Sequence, residues 1–161
     1  MVLFQSIALS IGLFIVTVSI QIFGLILLIW IMRRRTSHLR RLAYVIEQMG
    51  VILVVALGLF IMHAIQVAVY AWAYLALDVF PDFETALYFS TSSFTTVGYG
   101  ELFIEGPWRM VGAIQSANGF LLLGWSTIFL LSVLTRLRSV EIDWLEGRLE
   151  PEAFDRDTHK D

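Results

Sequence analysis

Hydrophobic residues are grouped along the chain into three long stretches without an acidic or basic side chain, residues 1–32, 48–77 and 110–135. A helix needs about 20 apolar residues to cross the hydrocarbon core of a bilayer, and each stretch is longer than that. A fourth apolar segment, residues 83–94, is too short to cross and contains four consecutive hydroxyl side chains. The pattern predicts an all-α membrane protein with three transmembrane helices and a short helix before the third.

The first stretch, residues 1–32, is predicted to be a transmembrane helix and not a signal peptide. A signal peptide has a basic start, a shorter apolar region and a small-residue cleavage site. This stretch has none of these features and is followed by Arg33, Arg34 and Arg35. The sequence does not indicate what this helix does.

A basic segment, residues 33–49, follows the first helix. In a voltage sensor the arginines lie inside a membrane helix, where they can move through the field. Here three adjacent arginines come after the apolar stretch, and Arg40 and Arg41 follow. The segment is interpreted as a cytoplasmic anchor loop with weak attraction to anionic lipid headgroups.

The sequence Thr-Thr-Val-Gly-Tyr-Gly occupies residues 95–100, between the short helix and the third stretch. Gly98 and Gly100 can adopt a positive φ, which their neighbours mostly cannot. The carbonyls of residues 96–100 could then all point to one side. Four such peptides around an axis would form cages of uncharged oxygen atoms, which suit a weakly hydrated monovalent cation.

This motif, followed by Glu101, resembles the selectivity filter of tetrameric potassium channels, most closely the bacterial channels with one pore domain per chain. The resemblance extends over roughly residues 50–136. It implies a pore domain with an outer helix, a re-entrant pore helix, a selectivity-filter loop and an inner helix, assembled as a C4 homotetramer. The helix before residue 33 is an addition to that domain.

The resemblance also implies the ligands of the permeant ion. Potassium ions in the filter would be held by backbone carbonyls and one threonine hydroxyl, with no organic cofactor. The residues that would provide these oxygens, with the glycine that closes the outer end, are Thr96, Val97, Gly98, Tyr99 and Gly100.

Five further residues are expected to support the filter: Thr95, Glu101, Tyr88, Phe89 and Ser92. The resembled family usually has aspartate at the position of Glu101 and often tryptophan near Tyr88 and Phe89. Some relatives have a glutamate near the position of Ser92. Because Phe89 offers Glu101 no donor, the brace behind the filter is expected to be weaker or to involve Tyr88.

Polar residues inside the second and third stretches allow two interpretations each. Gln115, Asn118, Leu122 and Ser126 share one helical face, and a polar stripe in a membrane helix faces a cavity or another helix. We expect them to line the water-filled cavity below the filter, with hydrogen bonding between helices as the alternative.

Gly119 is a candidate hinge, because its position resembles that of the hinge glycine in the family's inner helix. The alternative is that Gly119 packs against the outer helix. His63 could sense pH, but a neutral, hydrogen-bonded histidine is favoured.

Charge distribution predicts the orientation. Arginines lie between the first two stretches and after the third, whereas the loop around residues 95–100 is acidic. The protein is expected to be a multi-pass protein of the cell membrane. The positive-inside rule then places its N-terminus outside and its C-terminus in the cytoplasm. Residues 137–161 are predicted to be an acidic cytoplasmic tail, with a short helix up to Pro151 and a disordered end.

The predicted function is a potassium-selective channel that conducts passively. No paired carboxylates, histidine cluster or activated nucleophile indicates an enzyme, and the absence of cysteine excludes thiolate metal sites. A net charge of −3 argues against nucleic acid as a partner. The expected partners are further copies of the chain and membrane lipid. The alternatives are a weakly selective monovalent cation channel, a potassium transporter subunit or a regulatory membrane protein.

Overall fold

The computed structural model describes residues 2–34 and 41–157, with side chains described for residues 3–33 and 48–136. Within these ranges the regular secondary structure is helical. The α-helices, with one 3-10 turn at Gly106–Trp108 before the last of them, are α1 (Val2–Arg34), α2 (Arg41–Ala76), α3 (Phe83–Phe94) and α4 (Arg109–Asp157).

Three helical segments are long and apolar enough to cross a membrane: Leu3–Arg33, Gln48–Ala76 and Gly106–Arg136. They coincide with the three predicted spans. Large apolar side chains cover their outer surfaces, and Phe23, Phe60 and Phe120 are each about 70% exposed (71%, 72% and 69%). A helix that is apolar on its outer as well as its inner face is typical of a membrane span.

The helices α1 and α4 run parallel, and α2 runs antiparallel to both. At one end the hydroxyl of Ser6 donates to the carbonyl of Pro107 over 2.7 Å. Toward the other end Leu25 and Leu28 pack in one cluster with Val133 of α4 and Val55 of α2. The N-termini of α1 and α4 therefore lie at the same end of the molecule.

Glycines let α1 and α2 cross closely. A Cβ on Gly24 would meet the side chain of Met62, and a Cβ on Gly58 would meet the side chain of Leu28. Small residues at a helix crossing allow the backbones to approach, which is a common basis of helix association in membranes. This crossing fixes α1 against the remainder of the fold.

The short helix α3 lies between α2 and α4, next to an aromatic cluster. The ring of Tyr74 meets Phe80 and Phe89 edge-on, with centroid distances of 5.9 and 5.4 Å and interplanar angles of 87° and 82°. Edge-to-face contacts are a preferred geometry for buried aromatic pairs. The cluster holds α3 so that its C-terminus leads directly into residues 95–101.

The last helix is longer than predicted. A short separate helix up to Pro151 was expected, followed by disorder, but α4 continues without interruption through Pro151 to Asp157. Its 49 residues correspond to about 74 Å at 1.5 Å per residue, far more than a bilayer core of about 30 Å. An internal proline removes one backbone donor but does not end this helix.

Parts of two predicted segments lie outside the described residues. For the basic segment, residues 33–49, these are residues 35–40 and the side chains of residues 34–47. For the acidic tail, residues 137–161, they are residues 158–161 and all the side chains. The predicted basic and acidic surfaces of these segments therefore stay predictions.

Candidate functional site

The short helix α3 begins with a side-chain cap. Asp82 has extended backbone angles, and its carboxylate accepts from the amide and the hydroxyl of Thr85, both over 2.8 Å. These hydrogen bonds stabilise the ionised carboxylate and lower the pKa of Asp82 below its ordinary value. Glu84 adds a second acid in the first turn, where the helix dipole favours negative charge. The opposite, partially negative end of α3 is directed at residues 95–100.

The helix α3 ends in an unusual backbone conformation. The amide of Thr95 donates to the carbonyl of Thr91 over 3.0 Å, which is the last helical bond, and the hydroxyl of Thr95 donates to the same carbonyl over 2.8 Å. Thr96 then has φ 60°. Glycine is the usual residue just after a helix that ends in this way, and a β-branched side chain there is an outlier. Such strain costs about 1–3 kcal/mol and is found mostly at functional sites.

The backbone of residues 96–100 alternates in handedness. Thr96, Gly98 and Gly100 have φ values of 60°, 54° and 78°, whereas Val97 and Tyr99 have negative φ. The two glycines therefore adopt the conformation for which they were singled out in the sequence. Thr96 adopts it as well, which residue type alone does not indicate.

Ser92 anchors this segment from behind. Its carbonyl accepts from the amides of Val97 and Gly98 over 3.1 and 3.2 Å. Its hydroxyl accepts from the amide of Tyr99 over 3.3 Å. Ser92 was predicted to lie next to the segment, and it contributes both its side chain and its backbone.

These contacts determine where the carbonyls point. In a planar trans peptide the C=O is directed opposite to the N–H of the next residue. Because the amides of residues 97–99 are directed at Ser92, the carbonyls of Thr96, Val97 and Gly98 are directed away from α3. The segment thus presents consecutive backbone oxygens on the side that the protomer leaves open.

Every residue from Thr95 to Glu101 is exposed in the isolated protomer. The side chains of Val97 and Tyr99 are 52% and 68% exposed. In a membrane protein, irregular backbone is tolerated only where protein or a water-filled cavity surrounds it. One protomer alone does not provide that surrounding.

A tyrosine reaches the acid that follows the segment. The hydroxyl of Tyr88 donates to a carboxylate oxygen of Glu101 over 3.1 Å. This hydrogen bond raises the pKa of Tyr88 above its ordinary value. The ring of Tyr88 also stacks on that of Tyr99, with a centroid distance of 6.4 Å and an interplanar angle of 16°. The connection behind the segment runs through Tyr88, one of the two routes that the sequence left open.

Phe89, in contrast, lies in the aromatic cluster. Its ring packs against Tyr74 and Phe80, and it also lies beside Gly112 of α4. Neighbouring residues on a helix point about 100° apart, so Tyr88 and Phe89 face different surroundings within the protomer. The expected support of the segment by Phe89 stays a prediction.

The side chains of α4 that were expected to line a cavity are instead enclosed within the protomer. Gln115 is fully buried within the protomer, while Asn118 and Leu122 are 1% and Ser126 5% exposed. Gln115 accepts from the hydroxyl of Tyr74 over 2.6 Å and donates to the carbonyl and hydroxyl of Ser90 over 3.2 and 2.7 Å. The alternative, hydrogen bonding between helices, fits the three polar residues, and Leu122 packs in an apolar cluster with Val67 and Phe94.

Asn118 and Ser126 belong to a set of hydrogen-bonded polar side chains between α1, α2 and α4. Asn118 donates to the hydroxyls of Thr17 and Tyr70 over 2.7 and 3.0 Å, and Gln21 donates to the hydroxyl of Ser126 over 2.9 Å. We call this set the polar belt; its members are Thr17, Gln21, Gln66, Tyr70, Asn118 and Ser126.

Sequence reasoning missed the α1 half of the polar belt. Thr17 and Gln21 are four residues apart in a span without charged side chains, and this spacing places them on one helical face. The same signal was used for α4 and was available for α1. His63 contacts the belt through Gln66, with 2.8 Å between its Nδ1 and the Gln66 Oε1.

Gly119 is a contact point between α4 and α3. A Cβ at this position would collide with the backbone carbonyl of Phe94, the last residue of α3. Gly119 is therefore a packing position, but its nearest neighbour is α3 and not the outer helix that was expected. Its role as a hinge stays a prediction.

Comparison with known families identifies most of this architecture. The family model described as an ion channel matches residues 52–136, which is more than half of the chain and comprises most of α2, all of α3, the segment after it and α4 as far as Arg136. Comparisons with curated proteins and with solved structures gave no match. The match does not include α1. This chain is a membrane protein that belongs to the ion channel family.

Proposed function

We propose that this protein is a potassium-selective channel formed by four copies of the chain, with residues 96–100 as its selectivity filter. The observation that carries the proposal is the direction of the backbone. The amides of residues 97–99 are bonded to Ser92, so the carbonyls of residues 96–98 point to the open side. Membership of the ion channel family supports passive ion conduction, and this carbonyl column supports the choice of ion.

In this proposal potassium is the substrate, and backbone oxygens replace its water shell. The oxygens are those of Thr96, Val97, Gly98 and Tyr99 from each copy, with the Thr96 hydroxyl at the inner end. A threonine at the strained position after α3 supports that role, because a glycine would fit the backbone better but would have no hydroxyl. Binding at several sites in a row stays weak enough for release.

Assembly of four copies would account for the exposed segment. The open side of residues 95–101 would face the three other copies and the ions on the axis, which would satisfy the requirement that irregular backbone be surrounded at membrane depth. α3 would then be a re-entrant pore helix. Its negative C-terminal end would favour a cation that has shed part of its water.

Charge and packing support one orientation of the chain in the membrane. The outer mouth would be the end that holds Glu101 and Glu105, where acids raise the local cation concentration. Ser6 lies at that same end through its hydrogen bond to Pro107. An N-terminus outside and a C-terminus in the cytoplasm therefore agree with both the positive-inside rule and the parallel packing of α1 and α4.

The test is ion flux through the purified full chain in liposomes. Reversal potentials in mixed potassium and sodium solutions would give the permeability ratio. A strong preference for potassium is expected. Equal permeability would instead identify a weakly selective monovalent cation channel. If a verified tetramer in the liposomes conducts neither ion, the protein is not a channel by itself, and a transporter subunit or a regulatory membrane protein becomes the better description.

A further inference from the structure

The helix α1 lies outside the residues that match the ion channel family, yet it is bonded to the matched region at mid-span. Its side of the polar belt consists of two residues. Thr17 accepts from Asn118 of α4 through its hydroxyl and from Gln66 of α2 through its carbonyl, over 2.7 and 3.2 Å. Gln21 donates to Ser126 of α4 and accepts from Gln66 of α2, both over 2.9 Å. Two residues of α1 thus hold both of the other spans.

On α2, adjacent residues connect α1 to α3. Gln66 binds Thr17 and Gln21 of α1. The next residue, Val67, accepts through its carbonyl from the hydroxyl of Ser90 in α3 over 2.8 Å. A displacement of α2 relative to α1 would therefore move the site that anchors α3.

On α4, adjacent residues make the same kind of connection. Asn118 binds Thr17 of α1, and the next residue, Gly119, lies against the backbone carbonyl of Phe94 in α3. One turn earlier in α4, Gln115 binds Ser90 of α3. Both helices that grip α3 are thus bonded to α1 at neighbouring positions.

We propose that Thr17 and Gln21 are positioning residues for the selectivity filter, a role that rests on the proposed function of residues 96–100. They fix α2 and α4 relative to each other at the level where both contact α3. α3 in turn contributes Ser92, which holds the amides of residues 97–99. α1 therefore stabilises the carbonyl column without contacting it.

The test uses two substitutions and a matched control for each. Thr17→Val removes the hydroxyl and keeps nearly the same shape, and Gln21→Leu removes two interhelical hydrogen bonds. The controls are Ser19→Ala, whose hydroxyl donates to Ile15 within α1, and Gln5→Leu, which changes an exposed glutamine of the same helix. Thr17→Ser is the conservative variant that keeps the hydroxyl.

The first readout is amide hydrogen exchange in the full chain, which requires no ion flux. The amides of Val97 and Gly98 are protected by their bonds to Ser92. A hydrogen bond between membrane helices is worth a factor of about three in equilibrium. We therefore expect exchange of residues 96–99 to rise about threefold in Thr17→Val and about tenfold in Gln21→Leu. Ser19→Ala, Gln5→Leu and Thr17→Ser should exchange like the wild type.

Two exchange results would overturn the proposal. One is unchanged protection of residues 96–99 in Thr17→Val and Gln21→Leu. The other is an equal rise across α2, α3 and α4, because this would show that α1 only stabilises the fold as a whole. If Gln21→Leu does not fold, the comparison of Thr17→Val with Thr17→Ser decides the question by the same criterion.

The second readout is the permeability ratio of potassium to sodium, which we expect to fall in Thr17→Val and Gln21→Leu and to stay unchanged in the controls. The two readouts separate two kinds of failure. A wild-type protein without potassium preference would contradict the proposed function. Protected residues 96–99 in both variants of a selective channel would contradict the role of α1 alone.

Discussion

The two polar regions of this membrane protein are treated in opposite ways by the fold. The polar belt is enclosed by α1, α2 and α4, and Gln66 and Thr17 in it are fully buried. Residues 96–100 have their amides bonded to Ser92 and their carbonyls directed away from the protomer. The polar belt holds three helices together, whereas the carbonyls of residues 96–98 face the open side of the protomer.

The comparison corrects the inference that a polar stripe in a membrane helix faces water. A polar stripe on α4 was expected to face water, and a glycine-rich segment was expected to present oxygens. Buried polar groups in an apolar medium cost free energy unless they are hydrogen-bonded, so both locations need a solution. In α4 the solution is another helix of the same chain. In residues 96–100 the solution that we propose is the assembly of four copies around potassium ions.

The largest expected effect comes from Gly98→Ala. Gly98 has φ 54°, and a Cβ there would have no atom within 4 Å, so the cost is purely one of backbone conformation. A left-handed residue with a side chain costs about 1–2 kcal/mol, and four copies would add this cost at one axis. We expect potassium flux in liposomes to fall by about a hundredfold or more at equal protein density.

The matched control for this change is Gly12→Ala, which also adds a Cβ in open space but in a helix. It should conduct normally. Wild-type flux in Gly98→Ala would contradict the assignment of residues 96–100 as the filter and would remove the functional half of the comparison.

The next effect concerns the contact between α4 and α3. A Cβ at Gly119 would meet the backbone of Phe94, which cannot rotate away as a flexible side chain would. We expect Gly119→Ala to lower the free energy of unfolding by about 1–3 kcal/mol, measured as a lower midpoint of thermal unfolding in detergent. Gly124→Ala is the control, because a Cβ at Gly124 would have no atom within 4 Å. A change in gating without loss of stability would favour the hinge.

A smaller effect is expected for Gln115→Leu. This substitution tests most directly whether Gln115 lies between helices or at the wall of a cavity. The change removes the bonds to Tyr74 and Ser90 and leaves their polar groups buried. Stability should fall by about 1–2 kcal/mol, while the unitary conductance of the folded protein stays the same. Gln5→Leu is the exposed control. Altered conductance with unchanged stability would instead place Gln115 at a cavity and contradict the comparison.

The smallest effect is expected for Tyr88→Phe. This change removes the hydroxyl that donates to Glu101 but keeps the ring that stacks on Tyr99. The initial potassium flux should be unchanged, and conduction should decay faster during sustained flow, as recorded in single-channel traces. The decay of conduction in Tyr88→Phe is compared with that in Thr85→Val, which changes the other end of α3. Identical decay in Tyr88→Phe and wild type would show that the Glu101 contact has no part in filter stability.

The sequence by itself determined the spans, the short helix and the positive φ of the two glycines after it. Charge-free stretches longer than about 20 residues have few other stable environments than a bilayer. The glycines at 98 and 100 indicate a positive φ in a short non-helical segment, because glycine adopts that conformation without the steric cost that a Cβ brings. Each of these inferences depends on local chemistry that neighbours in space do not change.

The tertiary structure alone decided which way side chains face and what they bond. Tyr88 and Phe89 are adjacent in sequence, yet one contacts Glu101 and the other the aromatic cluster. The stripe on α4 has the same helical spacing whether it faces water or α1, so periodicity could not distinguish these cases. Only the packing of α1 against α4 brings Thr17 to Asn118 and Gln21 to Ser126, and each of these pairs is more than 100 residues apart in the chain.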